Sequence, residues 1–487
     1  MREKSLFVRR WFVAAVLFAS ALPGLAETRS VLILHTNDLH GRIRPGRFDV
    51  GGMPYVSGYI HQVRETHKDV LVLDAGDVTE KGDMLSYMTH NTVMYEAMNA
   101  AGYDAAAPGN HDMRDPLYLG EGVKAAPKVS FICLNAHRRE GIPILDPSKV
   151  FTVNGVRVAV IGLTVKTADD AESTLGDGEC MDRLAAEVGR VEPLSDIQVI
   201  LCHLSSKVCL GIAKRVPAVD LFVSGHSHEL LTKPVRTDGG ALIVQAGQYA
   251  EHVGRVEMQV DVASHQLKQA DVSLVKMDPS AVPCDKEVLA LIAAREKAVC
   301  PEAGRVVARC DEAMSGPEFG PLAAEALRRS AKTDVGLFNG PYVFRADLPK
   351  GDVNIGDIFL AGGFRGYKMV TTTLTGKEIE SYLTPAPGKA KSGESWHGFD
   401  AKIERADGAW KVTSSLDPEK QYSVVIAALE WEKLYEPDNS GAAGKVLEPC
   451  AFTFTDSMVD YISANVPKET SLNAYVKSMP KNGCELR

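Results

Sequence analysis

The feature that most restricts how this chain folds is an alternation of short apolar runs with helical stretches between residues 30 and 250. The runs are rich in Val, Ile and Leu, which is typical of strands buried on both faces. They are Val31–Leu34, Val70–Leu73, Val129–Leu134, Val156–Leu163, Ile197–Leu201, Leu221–Val223 and Ala241–Val244. The helical stretches between them include Tyr59–His67, Met84–Ala101 and Met181–Val191. This pattern predicts an α/β layered domain in which helices flank central β-sheets.

A different organisation begins near residue 278. Pro279, Pro283 and Pro301 bracket a helical stretch over Asp285–Val299, which predicts a connector between two domains. Beyond it we expect helices and strands at Pro321–Ser330, Asp334–Phe338, Met369–Leu374, Tyr422–Ala427 and Ser457–Ala464. The predicted division is a first domain over 27–277, a helical linker over 278–304 and a smaller α/β domain over 305–487. The protein as a whole is then of the α+β type.

The first 26 residues have the composition of a secretory signal peptide. Arg9 and Arg10 precede an apolar run over Trp11–Leu22, and Pro23–Ala26 offers small residues for cleavage. The alternative is a membrane anchor, but the run is shorter than the ~20 residues that span a bilayer. We therefore expect a secreted or periplasmic protein, after cleavage, with no stable membrane span.

Charge and cysteine content limit the partners of the chain. Acidic residues number 63 against 54 basic ones, a formal net charge of −9, so the basic footprint of a nucleic-acid scaffold protein is missing. The nine cysteines form no CxxC pair, which argues against a zinc ribbon or a thioredoxin-type motif. Their odd number leaves at least one thiol unpaired in a monomer, and a monomer is the state that we expect. A small charged substrate remains compatible with this composition.

Residues suited to metal binding follow several of the apolar runs. In α/β folds, ligands bind outside the carboxyl ends of the strands, which is where these residues fall. Carboxylate, imidazole and amide groups suit divalent zinc, manganese or iron. Each of these polar segments, taken alone, is most simply explained as a turn. Turn chemistry does not account for all of the segments together. The candidate ligands are Asp38, His40, Asp77, Asn110, His203, His226 and His228.

These motifs resemble those of the calcineurin-like metallophosphoesterases, and within them the exported 5′-nucleotidase branch, which includes cyclic-nucleotide phosphodiesterases. The motifs DxH, GD, GNH, H and GHxH occur in the order typical of the family, over roughly residues 30–250. The resemblance implies two divalent metal ions, zinc, manganese, iron or cobalt, bridged by Asp77. It assigns one ion to Asp38, His40 and His228, and the other to Asn110, His203 and His226.

The resemblance also implies that His111 is catalytic. Because His111 follows the proposed ligand Asn110, it is free to face the substrate, where it could stabilise charge or protonate the leaving group. Related nucleotidases typically read GNHEFD, in which an Asp three residues after the His orients its ring. Here Arg114 occupies that position, and we expect Asp115 to orient His111, with Asp112 as the alternative.

The second half resembles the 5′-nucleotidase C-terminal domain less closely. The stretch from Phe338 to Asp347 is similar to the family's NGGxR loop, which implies that Arg345 contacts substrate phosphate. The family's Gly-Gly-Asp-Gly-Tyr/Phe segment has no clear counterpart. Phe399 and Phe454 best match the two aromatic positions that bind a nucleobase, and ordinary core packing is the alternative for both.

The predicted function is that of an exported, metal-dependent phosphohydrolase acting on small-molecule phosphoesters, nucleotides first. Alternative substrates on the same two-metal scaffold are 2′,3′-cyclic nucleotides, sugar phosphates and sulfur esters. A non-enzymatic solute-binding protein built on the same fold is the alternative from another class of function.

Overall fold

A computed structural model describes residues 28–45, 50–80, 82–114, 117–137, 143–165, 177–339, 344, 346–363, 368–384, 394–434, 445–479 and 484–486. The predicted signal segment lies outside these residues. Among the described residues, no helix combines the length and the apolar character needed to cross a bilayer.

The first half of the chain builds two β-sheets. Its strands are β1 (Thr28–Thr36), β2 (Val70–Asp74), β3 (Ala105–Ala106), β4 (Ser130–Phe131), β5 (Ser148–Val153), β6 (Val156–Thr164), β7 (Ile197–His203), β8 (Leu221–Val223), β9 (Val235–Arg236), β10 (Leu242–Val244), β11 (His252–Asp261) and β12 (Gln266–Lys276). The strand order is β12-β11-β1-β2-β3-β4 in the first sheet and β5-β6-β7-β8-β10-β9 in the second.

Both sheets have a parallel centre and antiparallel edges. Strands β1 to β4 run parallel in the first sheet, as do β6, β7, β8 and β10 in the second. The strands β11 and β12 pair antiparallel with their neighbours, as do β5 and β9. Because parallel strands end at the same edge of a sheet, the segments that follow β1, β2 and β3 are brought together. The same holds for the segments after β7 and β8.

Helices cover the outer faces of the two sheets. They are α1 (Met53–Thr66), α2 (Met84–Met88), α3 (Thr92–Ala101), α4 (Asn110–Arg114), α5 (Val123–Ala125), α6 (Asp177–Val191), α7 (Ser206–Ala213) and α8 (Lys286–Val299). A π-helical turn spans Tyr118–Gly122, and a 3₁₀ turn spans Glu192–Leu194. The Asp285 side chain caps α8 by accepting hydrogen bonds from the first-turn amides of Glu287 and Val288.

Three apolar layers hold the first half together. Ile33 of β1 packs with Val158 of β6 and Val199 of β7 between the two sheets. The outer face of the first sheet buries its side chains against α1, α3 and α8, with Ile60 at the centre of α1. The outer face of the second sheet packs against α6 and α7, to which Leu184 belongs. The result is a four-layer arrangement of helix, sheet, sheet and helix.

The second half forms a smaller sheet flanked by helices. Its strands are β13 (Val306–Cys310), β14 (Val335–Asn339), β15 (Gly351–Asn354), β16 (Lys368–Thr375), β17 (Glu394–His397), β18 (Ala401–Ala406), β19 (Ala409–Ser414), β20 (Gln421–Ala427), β21 (Glu448–Thr453) and β22 (Cys484–Leu486). The central sheet has the order β17-β14-β20-β16-β21, while β13 pairs with β15 and β18 lies between β19 and β22.

The helices of the second half are α9 (Gly316–Ala331), α10 (Ile355–Ile358), α11 (Gly376–Leu383), α12 (Ala428–Leu434), α13 (Phe454–Asn465) and α14 (Leu472–Ser478). A π-helical turn follows α10 over Phe359–Gly363. One face of the central sheet packs on α9 and α13, where Leu327 and Met458 meet. The other face packs on α11 and the strand β18, with Ile379 and Ile403 in the shared core.

The predicted fold class is confirmed, and particular boundaries differ for local reasons. The predicted helix over Met84–Ala101 is divided into α2 and α3, because Asn91 adopts a left-handed conformation with φ of 60°. The predicted strand over Val129–Leu134 shortens to β4. The predicted helix at Pro321–Ser330 begins earlier, at Gly316, where Ser315 and Glu318 form a capping box.

Candidate metal centre

The polar segments after five strands converge at the edge shared by the two sheets. Asp38 and His40 follow β1, Asp77 follows β2, and His203 is the last residue of β7. Ligand atoms of three side chains lie within 4.8 Å of one another in each of three sets. The sets are Asp38, His40 and His228; His40, Asp77 and His111; and Asp77, His203 and His226. The structure therefore brings together six of the seven candidate ligands that sequence analysis selected from distant parts of the chain, and places His111 beside them.

The distances within the cluster are those of groups that point at a common space. The Nε2 atoms of His40 and His228 lie 3.0 Å apart, and Asp38 Oδ1 lies 3.2 Å from His228 Nε2. On the other side, His203 Nε2 lies 3.0 Å from Asp77 Oδ2. The set of His40, Asp77 and His111 shares His40 with the first set and Asp77 with the third, so the two halves of the cluster are contiguous.

Carbonyl groups behind the cluster orient two of its imidazoles. His40 Nδ1 lies 3.3 Å from the Thr79 carbonyl oxygen, and His203 Nδ1 lies 2.8 Å from that of Ala75. A carbonyl oxygen only accepts hydrogen bonds, so each Nδ1 donates a proton and each Nε2 keeps its lone pair for an ion. This is the arrangement in which outer residues fix the tautomer of a metal-binding histidine.

An unpaired oxygen supports the same conclusion. Asn110 Oδ1 is buried and accepts no hydrogen bond from the residues that the structure describes. A buried amide oxygen without a donor costs ~1–3 kcal/mol, whereas a divalent cation would satisfy it. The donor set of carboxylate, imidazole and amide groups thus fits divalent metal ions.

The charges of the cluster are strongly coupled. Burial alone would raise the pKa of Asp38, but the hydrogen bond to His228 and the nearby His203 and His40 hold that pKa below its usual value. Burial lowers the pKa of His203, yet the charge of Asp77, the hydrogen bond to its carboxylate, the charge of Asp38 and the Ala75 carbonyl together outweigh burial and raise that pKa to about 9. The buried carboxylates therefore create a site that attracts positive charge.

Asp112 braces the loops that carry the ligands. Its carboxylate accepts hydrogen bonds from the amides of Asp77 and Gly109, both at 2.8 Å, and from the amide of Thr79 at 3.0 Å. The Tyr95 hydroxyl donates a further bond at 3.3 Å. Asp112 therefore holds the segment after β2 against the segment after β3.

His111 lies at the edge of the cluster, with its two ring nitrogens in different surroundings. Its Nε2 atom lies 4.0 Å from Asp77 Oδ2, and its backbone amide donates to Asp77 Oδ1 at 2.8 Å. Its Nδ1 atom contacts the carboxylate of Glu80. Sequence analysis missed Glu80, although a carboxylate three residues after Asp77 in a post-strand segment is a signal that could have found it.

Asn37 is a second residue that sequence analysis missed. Its amide nitrogen donates to Asp38 Oδ2 at 2.8 Å and to the Gly247 carbonyl at 2.6 Å, and its Oδ1 accepts from the Ala246 amide at 2.8 Å. Asn37 follows β1, whereas Ala246 and Gly247 follow β10. The Asn37 side chain therefore joins the edges of the two sheets at which the candidate ligands lie.

Two residues assigned to the site, Asp115 and Arg345, lie outside the described residues. Phe399 and Phe454 are buried, with exposed fractions of 4% and 0%. They belong to different cores: Phe399 stacks near Trp396 at 6.0 Å between ring centroids, and Phe454 near Phe338 at 5.1 Å. The structure does not bring these two rings together. Their role in base binding stays a prediction, and their burial favours the alternative of core packing.

A layered α/β domain with Asp, His and Asn side chains at the shared edge of two sheets is the architecture of a metal-dependent phosphoesterase. Residues 31–230 match the family model described as calcineurin-like phosphoesterase, and residues 296–429 match that of the 5′-nucleotidase C-terminal domain. The chain therefore carries a calcineurin-like phosphoesterase domain followed by a 5′-nucleotidase C-terminal domain, and the first of these is a domain of hydrolases. The resemblance seen in the sequence motifs is thereby confirmed.

Curated relatives match over different shares of their length. The chain is 25% identical to Endonuclease YhcR of Bacillus subtilis, over 81% of this chain and 36% of that protein. It is 28% identical to the 5′-nucleotidase of Bos taurus, over 51% of this chain and 49% of that protein. It is 25% identical to the 5′-nucleotidase of Vibrio cholerae, over 91% of each. The chain thus spans between about a third and a half of the first two relatives.

Solved structures share the fold over most of the chain. The 5′-nucleotidase precursor of Thermus thermophilus aligns with a TM-score of 0.70 at 22% identity, over 90% of this chain and 96% of that one. The sulfate thiohydrolase SoxB of Thermus thermophilus aligns with a TM-score of 0.67 at 16% identity, over 89% and 94%. At these identities the likeness concerns the fold alone.

Proposed function

We propose that the chain is an exported phosphohydrolase that uses two divalent metal ions to hydrolyse nucleotide phosphoesters, 5′-monophosphates first. The observation that carries this proposal is the position of Asp77, whose carboxylate belongs to two of the three ligand sets. A carboxylate shared in this way reduces the repulsion between two neighbouring cations. Asp38, His40 and His228 would hold one ion, and Asn110, His203 and His226 the other.

Two bound ions would neutralise phosphoryl oxygens and lower the pKa of a water molecule, which is the chemistry that phosphoester hydrolysis needs at neutral pH. The protein's own residues supply the rest. His111 Nε2 lies beside the ligand set, 4.0 Å from Asp77 Oδ2, where an imidazole can donate a proton to the leaving oxygen. Arg345 is the residue that we propose to hold the phosphate from the second domain.

A nucleotide is the preferred substrate because the relatives that match this chain include proteins named 5′-nucleotidase. Sulfur esters are kept as a second candidate, since a sulfate thiohydrolase shares the fold over most of the chain. Sugar phosphates and 2′,3′-cyclic nucleotides suit the same ligand set. A solute-binding protein is the alternative without catalysis, although binding alone does not require a shared bridging carboxylate.

Hydrolysis of a panel of substrates in the presence of Mn²⁺ tests this proposal. The panel contains AMP, 2′,3′-cyclic AMP, glucose 6-phosphate, a thiosulfate ester and p-nitrophenyl phosphate, with and without a chelator. We expect AMP to give the highest kcat/KM and the chelator to abolish turnover. Equal loss of AMP and p-nitrophenyl phosphate hydrolysis in a His203→Ala variant would assign both reactions to the metal cluster.

Other outcomes of the panel would change the proposal. No turnover of any ester, together with retained binding of AMP, would favour a solute-binding protein. A preference for the thiosulfate ester would move the proposal from phosphate to sulfur chemistry.

Export is tested separately from catalysis. We expect the mature protein to be recovered outside the cytoplasm, with a mass that lacks the first 26 residues. Recovery of the full-length chain from the cytoplasm would contradict the export part of the proposal and leave the catalytic part unchanged.

A further inference from the structure

We propose that Glu80 is the positioning residue for His111, in the role that sequence analysis gave to Asp115 or Asp112. This inference rests on the proposed function, because His111 acts on a substrate only if the chain is a hydrolase. It goes further by naming a carboxylate from another loop as the group that orients the catalytic ring.

The geometry around the ring supports this role. The Glu80 carboxylate contacts His111 Nδ1, while His111 Nε2 faces Asp77 on the side of the metal ligands. A carboxylate beside Nδ1 would accept its proton, fix the tautomer and hold the ring plane, which would leave Nε2 for the substrate. Both side chains are mostly buried, each with an exposed fraction of 13%, so water competes only weakly for this contact.

The alternative orienting residue among those described is already occupied. Both oxygens of Asp112 accept hydrogen bonds from backbone amides of the loops after β2 and β3. Asp112 therefore shapes the loop in which Glu80 lies, because its bond to the Thr79 amide is only one residue away from Glu80. Asp112, the residue after His111, thus holds the loop after β2 in place, and the Glu80 carboxylate of that loop contacts His111.

The backbone of Glu80 gives an independent indication. Its φ is 68°, a left-handed conformation that costs a residue with a side chain ~1–2 kcal/mol. Conformations of this kind persist where the surrounding structure enforces them, and they concentrate at functional sites. Here the conformation turns the chain after the braced segment so that the Glu80 side chain reaches His111.

The first test is a direct observation of the His111 ring in the metal-free protein. Nitrogen-15 NMR of labelled imidazoles reports which ring nitrogen carries the proton. We expect His111 to be protonated at Nδ1 in the unchanged protein and to lose this preference in Glu80→Gln. Glu65→Gln is the control, because Glu65 is exposed on α1, which covers the outer face of the first sheet. An unchanged His111 signal in Glu80→Gln would overturn the proposal even if no enzymatic activity were found.

The second test uses kinetics on the substrate that the panel identifies. Outer-shell partners of this kind typically contribute 10- to 100-fold, and we expect Glu80→Gln to lower kcat by roughly that factor with KM and metal content unchanged. Glu80→Gly removes the side chain and suits a positive φ, so it should fold and show the same loss. A loss of bound metal in either variant would make Glu80 a ligand and contradict the positioning role.

A double variant separates action through His111 from an independent effect. We expect His111→Ala alone to lower kcat by roughly 10²- to 10⁴-fold. If Glu80 acts only through this ring, adding Glu80→Gln to His111→Ala should cause no further loss. Additive losses would overturn the proposal. An Asp115→Ala variant should be measured in parallel. If Asp115→Ala lowers kcat and Glu80→Gln leaves kcat unchanged, the positioning role belongs to Asp115.

Discussion

At the scale of single residues, the cluster depends on backbone conformations that most side chains avoid. Residues with positive φ include the candidate ligands Asp38, His40, Asp77, His226 and His228, with values between 49° and 72°. Each such conformation costs ~1–2 kcal/mol, so several of them together represent a considerable local strain. Hydrogen bonds oppose this strain: the amides of Asp38 and His40 donate to the carbonyls of Gly76 and Asp77, both at 2.8 Å. The loops after β1 and β2 thus hold each other in the shape that the ligands need.

The shared carboxylate leads to a prediction for Asp77→Asn. Replacing the carboxylate by an amide removes the negative charge between the two proposed ions, so we expect a lower metal content and a large loss of hydrolysis. Metal analysis of the purified variant measures the first effect, and kcat/KM measures the second. Asp271→Asn changes an exposed aspartate of β12 and should leave both unaffected. Full activity with two retained ions in Asp77→Asn would contradict the bridging role.

At the scale of elements, the site requires that two loops approach more closely than ordinary side chains permit. A Cβ atom on Gly109 would overlap the Asp77 carboxylate and backbone amide. A Cβ atom on Gly76, whose φ is 90°, would meet the backbone of Pro108 and Gly109. Glycine at these positions lets the segment after β2 lie against the segment after β3, where Asp112 joins them.

This close approach leads to a prediction for Gly109→Ala. The added methyl group displaces the Asp77 carboxylate, so we expect weaker metal binding and lower kcat in a protein that still folds. Gly189→Ala in α6 is the matched control, because no atom lies within 4 Å of its added Cβ and alanine favours a helix interior. Metal titration and circular dichroism of both variants measure the effects. Normal metal affinity in Gly109→Ala would show that the loops can separate without loss of the site.

A second prediction at this scale concerns Asp220, the residue before β8. Burial raises its pKa from 3.8 to about 6, although it accepts a hydrogen bond from the Gln198 amide at 2.9 Å. Because the folded pKa lies above the unfolded one, the stability linked to this group is complete below pH 4 and decreases as pH rises through 6. We expect Asp220→Asn to raise the melting temperature at pH 7 and not at pH 4.

The control for this prediction is Asp238→Asn, which changes an exposed aspartate in the turn between β9 and β10. The melting curves of Asp238→Asn at pH 4 and pH 7 should coincide with those of the unchanged protein. An equal shift of Asp220→Asn at both pH values would mean that the effect is not linked to ionisation.

At the scale of the whole molecule, the candidate metal centre connects the two sheets. Candidate ligands after β1, β2 and β3 come from the first sheet, and candidate ligands at or just after the ends of β7 and β8 come from the second. Between the sheets, apolar residues such as Ile33 and Val199 supply non-directional packing. The second half contacts the first through Tyr87 and Phe359, whose ring centroids lie 5.4 Å apart. Metal ions would therefore add a directional link at the edge of an apolar interface.

This arrangement predicts that metal ions stabilise the folded chain. A ligand that binds only the folded state at 100 times its Kd adds ~2.7 kcal/mol, so Mn²⁺ should raise the melting temperature and a chelator should lower it. Differential scanning calorimetry measures both shifts. A His203→Ala variant, which lacks a ligand from the second sheet, should respond much less to Mn²⁺. An equal response in this variant would place the stabilising ions elsewhere.

The sequence alone determined the fold class and the candidate ligands, and the reason is local. Apolar runs such as Val70–Leu73 form buried strands wherever they occur, and the residue that follows a parallel strand lies at the ligand-binding edge of its sheet. The order of the motifs along the chain then indicated the family that the protein resembles. Asp38, His40, Asp77 and His203 could therefore be selected before any contact between them was known.

Only the tertiary structure decided the pairings that depend on distant segments. The contact of Glu80 with His111 joins residues 31 positions apart and follows from the way Asp112 braces the loop after β2. The separate burial of Phe399 and Phe454 follows from the two faces of one sheet, which residue types do not distinguish. Side-chain chemistry and strand periodicity act over a few residues, whereas these contacts are set by how whole elements pack, and the sequence pattern does not carry that information.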